Sequence, residues 1–378
     1  MPERERPELR ALTSLRGVAA LAVVAMHFSA TAQTLASASI PSLVPRGHMA
    51  VDFFFVLSGF IMSYTYAASF VSGRRGAYVD FLARRFARIL PLHMFVIVLV
   101  TVAAAVSIAI TGANIFFHSE SFFPDLLANL LLLPGLGFGP NFNGPSWSIS
   151  TEMVAYLLFP VLVGGVFSRS RTSTAITGCA ALLFLVLLAS RRPRLELGYE
   201  GAPESLIRCI TEFLLGMLAY RAYAGGHFRL LATDGAAFAL SVACVASLLL
   251  RIDLPAALLF PFLVLAYATN RGHARRILEM RLPYFLGMIS YSIYLIHNPL
   301  RPLGREVVQS MLGSSIARWE AIVFAVGGTI IVIPFAWVAF HLVEKPGRSF
   351  VRRLFAGVGA PRYFALSAGK RGPATHRR

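Results

Sequence analysis

An arginine and a histidine, Arg16 and His27, stand eleven residues apart in the otherwise apolar stretch TSLRGVAALAVVAMHFSATAQ (13–33). A charged side chain near the centre of a bilayer costs about 2.5–3.5 kcal/mol on insertion scales, so ionisable groups in such a run are functional candidates by default. At about 100° per residue, that spacing ends roughly 20° past three full turns, over a rise of ~16 Å. Arg16 and His27 therefore share one face of a helix at two depths. A guanidinium suits phosphates and carboxylates, and an imidazole suits proton transfer near neutral pH.

Other apolar segments carry groups of the same kind. Asp52 and Ser58 lie in VDFFFVLSGF, and Trp147, Ser148 and Glu152 in PSWSISTEMVAYLLFP. Tyr291, Tyr294 and His297 lie in ISYSIYLIHNPL, and Arg84, Arg85 and Arg88 in the basic loop RRGAYVDFLARRFARILP. Each has a bland reading. A lone buried histidine such as His297 is usually a packing residue, Glu152 can simply bridge helices, and Ser58–Gly59 can mark a close helix contact. The basic loop can be a topology anchor. Arg208 and Glu212, four apart on one face, read as a structural pair.

The elements that must position these groups are helices in a membrane. The chain has 378 residues, 56% hydrophobic and 14% charged, with a mean hydropathy of +0.66. Those values exclude disorder and an ordinary soluble domain. Apolar runs of about 20 residues recur, whereas the ten-residue alternating segments of a membrane barrel are absent. The expected fold is an all-α polytopic membrane protein of about ten transmembrane helices, at 11–33, 50–70, 91–111, 147–168, 173–190, 206–223, 230–250, 254–270, 282–302 and 319–343. The segment 125–134 is too short to span and reads as interfacial or re-entrant.

The net charge of +17 is spread over short loops and the tail, a topology signal and no sign of nucleic-acid binding. With the N-terminus in the cytoplasm, 25 basic residues fall on the inner side and 8 on the outer, and both termini are expected inside. The cluster RRPR (191–194) falls on the outer side against the rule, while loop 112–146 has no Lys or Arg. This orientation puts Arg16 near the cytoplasm and Ser58 near mid-membrane, with His27, Asp52, Glu152, Tyr291, Tyr294 and His297 in the outer half. Independent helices thus deliver polar groups to a shared level. Arg4, Arg6 and Arg10, the apolar run and ATA (30–32) imitate a secretory signal, but the segment is read as the first span. LVPRGH (43–48) looks like a linker in isolation and is read as an ordinary loop. Cys179, Cys209 and Cys244 are isolated, and neither a metal site nor a disulfide framework is expected.

Five stretches, in order, resemble the acyltransferase-3 family of integral membrane O-acyltransferases, over roughly 9–348. LRALTSLRGVAALAVVAMH resembles the opening R-x10-H helix, matched by Arg16 and His27. GHMAVDFFFVLSGFIMSY resembles the FFxLSGF segment, and FLARRFARILPLH the RRxxRIxP loop at Arg84, Arg85, Arg88 and Pro91. PSWSISTEMVAYLLFP matches WSxxxE at Trp147, Ser148 and Glu152. LGMISYSIYLIHNPL and HLVEKPGR are similar to the SYxxYLxH and ExP signatures, the latter at Glu344 and Pro346.

The resemblance implies a bacterial cytoplasmic-membrane enzyme that moves an acyl group, most readily acetyl, from cytoplasmic acyl-CoA to a hydroxyl of a sugar, glycan or glycosylated metabolite. It implies a catalytic His27 with an essential Arg16. Acyl-CoA is then a co-substrate, with no permanently bound cofactor. The transmembrane domain is expected over 1–348, followed by a basic, flexible cytoplasmic tail at 349–378. Thr151 and Met153 flank Glu152 where an acidic or aromatic neighbour is common in the family, which leaves the acceptor open.

On this reading Arg16, Arg84, Arg85 and Arg88 hold the CoA phosphates. His27 acts as general base or takes the acyl group covalently. Glu152 orients His27 or grips the sugar, and Ser58 or backbone N–H groups face the oxyanion. Asp52, Trp147, Ser148, Tyr291, Tyr294 and His297 are candidates for substrate contact. The rival reading is a proton-coupled transporter using the same His and Glu residues. Oligomeric state has no signal in the sequence.

Overall fold

The computed structural model describes residues 7–168, 170–191 and 202–356. Arg4, Arg6, most of RRPR and the tail beyond 356 lie outside the described residues. The chain forms α1 (Arg10–Leu35), α2 (Met49–Val71), α3 (Ala77–Thr111), α4 (Phe122–Leu130), α5 (Ser146–Val166), α6 (Arg171–Arg191) and α7 (Ala202–Ala224). Then come α8 (Asp234–Leu249), α9 (Asp253–Thr269), α10 (His273–Leu278), α11 (Arg281–Met288), α12 (Ser290–Leu312), α13 (Arg318–Ala339) and α14 (Lys345–Ala356). Among the described residues there is no β-strand. Among the described residues, six stretches are long and apolar enough to cross a membrane: α1, α2, α3, α5, α6 and Arg318–Phe355. At the other expected positions lie the helices α7, α8, α9 and α12, which fall short of that length or apolarity. Of these, α8 and α9 have 16 and 17 residues, and α7 and α12 carry charged side chains inside the run.

Apolar surface faces outward as well as inward. Along α3, Val98, Val102, Val106 and Ile110 are exposed, and so are Leu183, Phe184 and Leu187 of α6. In water such a belt would be a liability; in hydrocarbon it is the expected solvent-facing side. The hub is α1, which touches α2, α9, α10, α11, α12 and α13. Two glycine contacts bring backbones together. A Cβ on Gly59 of α2 would overlap the Phe213 carbonyl of α7, and one on Gly216 of α7 would overlap the Val56 carbonyl of α2. Gly17 of α1 and Gly287 of α11 make the same reciprocal approach. Close packing of this kind drives helix association where the solvent is itself apolar.

Three local departures from the expected layout shape the site. The basic segment before Pro91 is helix, not loop. α3 starts at Ala77 because Ala77, Phe81 and Ala87 form a buried stripe, and Pro91 sits inside the helix. The expected span 282–302 breaks at Ile289 into α11 and α12. α13 joins α14 through a π-helical turn at Phe340–Glu344, a geometry frequent at functional sites. The short segment after residue 121 forms the nine-residue α4, and the turn Pro134–Leu136 that follows packs on α5 and α7. LVPRGH is integrated into the fold: Arg46 and His48 both face buried Asp253 of α9, at 3.3 Å each.

Candidate functional site

A cavity of about 260 Å³ lies between α1, α2, α3, α5 and α12. Arg16, Ser58, Arg85, Arg88, Ser148, Glu152, Tyr291 and Tyr294, each named from the sequence, line it. Phe54, Phe55, Leu57, Ile61 and Ile89 supply apolar wall between them. Arginines gather at one end. Arg16 donates through Nε to Ser290 Oγ (3.1 Å) and through Nη2 to the Gly287 carbonyl (3.2 Å), capping the end of α11 exposed by the break at Ile289. Arg85 donates to the Tyr66 hydroxyl (3.2 Å), and its Nε is buried with no partner. Arg88 lies 3.9 Å from Glu344. Fully buried Glu344 also accepts from Ser292 (2.5 Å) and from Arg348. The π-turn thus plants a carboxylate that holds arginines from α3 and α14 beside Arg16.

Deeper in the cavity the groups suit proton transfer and hydroxyl recognition. Glu152 Oε1 accepts from Ser58 Oγ and from the Tyr156 hydroxyl (2.6 Å), while Oε2 has no donor among the described residues. The carboxylate is therefore fixed in orientation with one oxygen free for a ligand. The Tyr294 hydroxyl meets Ser148 Oγ (2.8 Å) and donates to the Pro145 carbonyl (3.2 Å). Three residues further along α12, His297 stacks on His27 with ring centroids 5.1 Å apart, and His27 Nδ1 lies 3.0 Å from His297 Nε2. His27 Nε2 has no partner among the described residues. Pro299 removes the amide that would bond the Leu295 carbonyl, and Asn143 Nδ2 donates to that carbonyl instead (3.3 Å).

Several expected placements differ. The hydrogen bond that holds the His27 ring comes from His297, not Glu152. Asp52 is not a cavity residue. It binds Arg208 of α7 through both carboxylate oxygens, with Arg208 Nε to Asp52 Oδ1 at 2.6 Å, both side chains being buried. The Arg208–Glu212 contact, at 3.9 Å, is secondary to that bond. Trp147 packs edge-on against Phe55 (6.2 Å between centroids), and Arg84 lies outside the cavity wall. Tyr291 donates to the Ile89 carbonyl (2.9 Å), so it belongs to the arginine end and not to the level of His297. Gly59 is the close helix contact, whereas its neighbour Ser58 serves Glu152. Sequence reading passed over Tyr156 and Arg348. Both stand four residues from a carboxylate they contact, a one-face signal that was available.

A second cavity of about 200 Å³ is walled by Thr31 of α1, Phe116, Phe142, Asn298, Arg301 and Arg305 among others. By register the His27–His297 pair stands between the two. Tyr294 lines the first cavity and Asn298 the second, and Thr31 is one turn past His27.

The sequence profile of the acyltransferase-3 family, described as an acyltransferase domain, matches residues 9–341. The chain is 29% identical over 329 residues to the acyltransferase MdmB of Streptomyces mycarofaciens, covering 81% of this chain and 82% of that protein. It is 29% identical over 330 residues to the exopolysaccharide production protein ExoZ of Rhizobium meliloti (strain 1021), covering 82% and 93% respectively. No solved structure matches it significantly. The chain belongs to the acyltransferase-3 family and is an enzyme that transfers acyl groups.

Proposed function

We propose that this family member moves an acyl group, acetyl foremost, from cytoplasmic acyl-CoA to a hydroxyl of a carbohydrate-containing acceptor. The protein crosses the bacterial cytoplasmic membrane ten times with both termini inside. The observation that carries this reading is the polarity of the first cavity: arginines from α1 and α3 at one end, a hydroxyl-bonded carboxylate deeper in, and apolar wall between, with the histidine pair one helical turn beyond Tyr294 of its wall. A CoA thioester has the matching profile, with polyanionic phosphates, a thin arm and a reactive end. The ~16 Å rise from Arg16 to His27 is comparable with the length of that arm.

Arg16, Arg85 and Arg88 grip the phosphates, with Arg348 beside them and Arg84 at the rim. For His27 to accept a proton at Nε2, its Nδ1–H must donate to His297 Nε2, and the 3.0 Å contact suits that tautomer. His27 Nε2 removes the acceptor hydroxyl proton as the oxygen attacks the thioester carbonyl. The carbon–sulfur bond then breaks and the CoA thiolate takes the proton back from His27. Glu152 Oε2 accepts from a hydroxyl of the sugar. Ser148 and Tyr294, already paired, line the route to the histidines.

The test is acyl-CoA-dependent labelling. Purified protein in nanodiscs is given radiolabelled acetyl-CoA and a panel of glycans, and transfer of label to a glycan supports the reading. Proton-driven movement of a solute in vesicles, with no label transferred, would replace it with transport.

A further inference from the structure

The arginine group at the donor end continues past the wall of the first cavity onto α14. This helix packs on α3 with a close approach, since a Cβ on Gly347 would overlap the Pro91 ring. Further along, α14 passes earlier residues of α3, and the strongest charged neighbours of Arg352 are Arg84, Arg85 and Arg88. Arg348 and Arg352, four apart, share one face of the helix, and Arg348 is tied to Glu344. Phe350 and Leu354 stand exposed on the opposite face. α14 is thus an amphipathic helix with its apolar face outward and this arginine pair on the side of α3.

The fold leaves this group with more positive charge and more donors than it uses. Glu344 serves Arg88 and Arg348 together. Among the described residues, Arg85 and Arg352 make no ion pair with a carboxylate. The Nε atoms of Arg85 and Arg348 are both buried without a hydrogen-bond partner. Buried donors are almost always satisfied, so these two mark a place for acceptor oxygens. Like charges gathered in this way leave a positive field that an anion neutralises.

The charge stands at two stations. Arg16, Arg85 and Arg88 meet the cavity wall, whereas Arg352 is exposed one turn of α14 past Arg348, ~6 Å of helical rise. CoA also carries its charge at two stations, a diphosphate at the head of the pantetheine arm and a phosphate monoester across the ribose. We infer that Arg352 binds the ribose 3′-phosphate of CoA while the cavity arginines hold the diphosphate, so that α14 makes the enzyme select CoA over dephospho-CoA. The inference rests on the proposed use of acyl-CoA and names the residue that reads its outermost phosphate.

Binding is measured by calorimetric titration of the full protein in phosphatidylcholine nanodiscs, with CoA and with dephospho-CoA, which lacks the 3′-phosphate. The expected result is that CoA binds roughly tenfold tighter, the order of one charge-assisted hydrogen bond. Arg352→Gln removes most of that preference by weakening CoA, and leaves dephospho-CoA within about twofold. Arg353→Gln keeps the wild-type preference, because Arg353 lies about 100° around the helix and its Nε donates back to the Ser349 carbonyl (3.3 Å).

An Arg352→Gln protein that still prefers CoA, or an Arg353→Gln protein that loses the preference equally, would overturn the inference. Equal binding of the two nucleotides by wild type would defeat it and leave the proposed donor standing, whereas binding of neither would defeat both. A lipid headgroup is the other source of a phosphate. If Arg352→Gln leaves CoA binding unchanged but releases phosphatidylglycerol that copurifies with wild type, the arginine holds a headgroup and the assignment fails.

Discussion

Replacing His297 tests whether His27 is a positioned base or merely a buried ring. In the resting enzyme the 3.0 Å contact joins two neutral imidazoles, a bond contributing about 0.5–1.5 kcal/mol. When His27 takes the acceptor proton the same bond becomes charge-assisted, contributing about 1.5–3 kcal/mol. Only the difference, about 1–2 kcal/mol, stabilises the transition state over the ground state. His297→Ala should therefore lower kcat by roughly 5- to 30-fold. The acetyl-CoA KM should move by less than about twofold, because His297 does not line the donor cavity. His297→Gln, whose amide oxygen can accept from His27 Nδ1, should recover part of the loss. The assay is steady-state transfer in nanodiscs, with thermal melting to confirm folding, and a His27→Ala background in which the second substitution should add nothing. Unchanged kcat in folded His297→Ala, or a loss confined to KM, would refute the positioning role.

Other consequences are as direct. Asp52→Ala leaves the buried Arg208 guanidinium without its main partner, a defect costing about 3–5 kcal/mol, so the melting temperature in detergent should fall sharply. Asp52→Leu with Arg208→Met should recover much of it. Arg85→Gln should raise the KM for acetyl-CoA by roughly ten- to hundredfold while leaving kcat/KM for acetyl-pantetheine, which lacks the nucleotide phosphates, within about twofold. Gly59→Val should abolish folded protein, because the new side chain meets the α7 backbone. Gly164→Ala, with open space around the site of the new atom, should change stability by no more than about 1 kcal/mol.

What the sequence disclosed follows the range of the physics involved. The helical class and the first span were legible because apolar runs and a shared helix face are local properties. So was the cavity wall, since Arg16, Ser58, Arg85, Arg88, Ser148, Glu152, Tyr291 and Tyr294 were all named beforehand. Partnerships between distant segments were not legible. Asp52 and Arg208 are 156 positions apart, and His27 and His297 are 270 apart. Nothing in either neighbourhood announces the other. The basic segment before Pro91 was misread as loop because proline and arginine outweighed the buried stripe Ala77, Phe81 and Ala87. Tyr156 was missed for a different reason: its tie to Glu152 is local, but a tyrosine in an aromatic-rich span looks like packing.

The measurement that bears most directly on the account is CoA release from acetyl-CoA by purified protein in nanodiscs, supplied with an acceptor glycan, wild type beside His27→Ala. A general base contributes about 10²- to 10⁴-fold, so wild type should release CoA and folded His27→Ala should release it slower by that order. Equal release from both proteins would contradict the account and move the chemistry to Glu152 or His297.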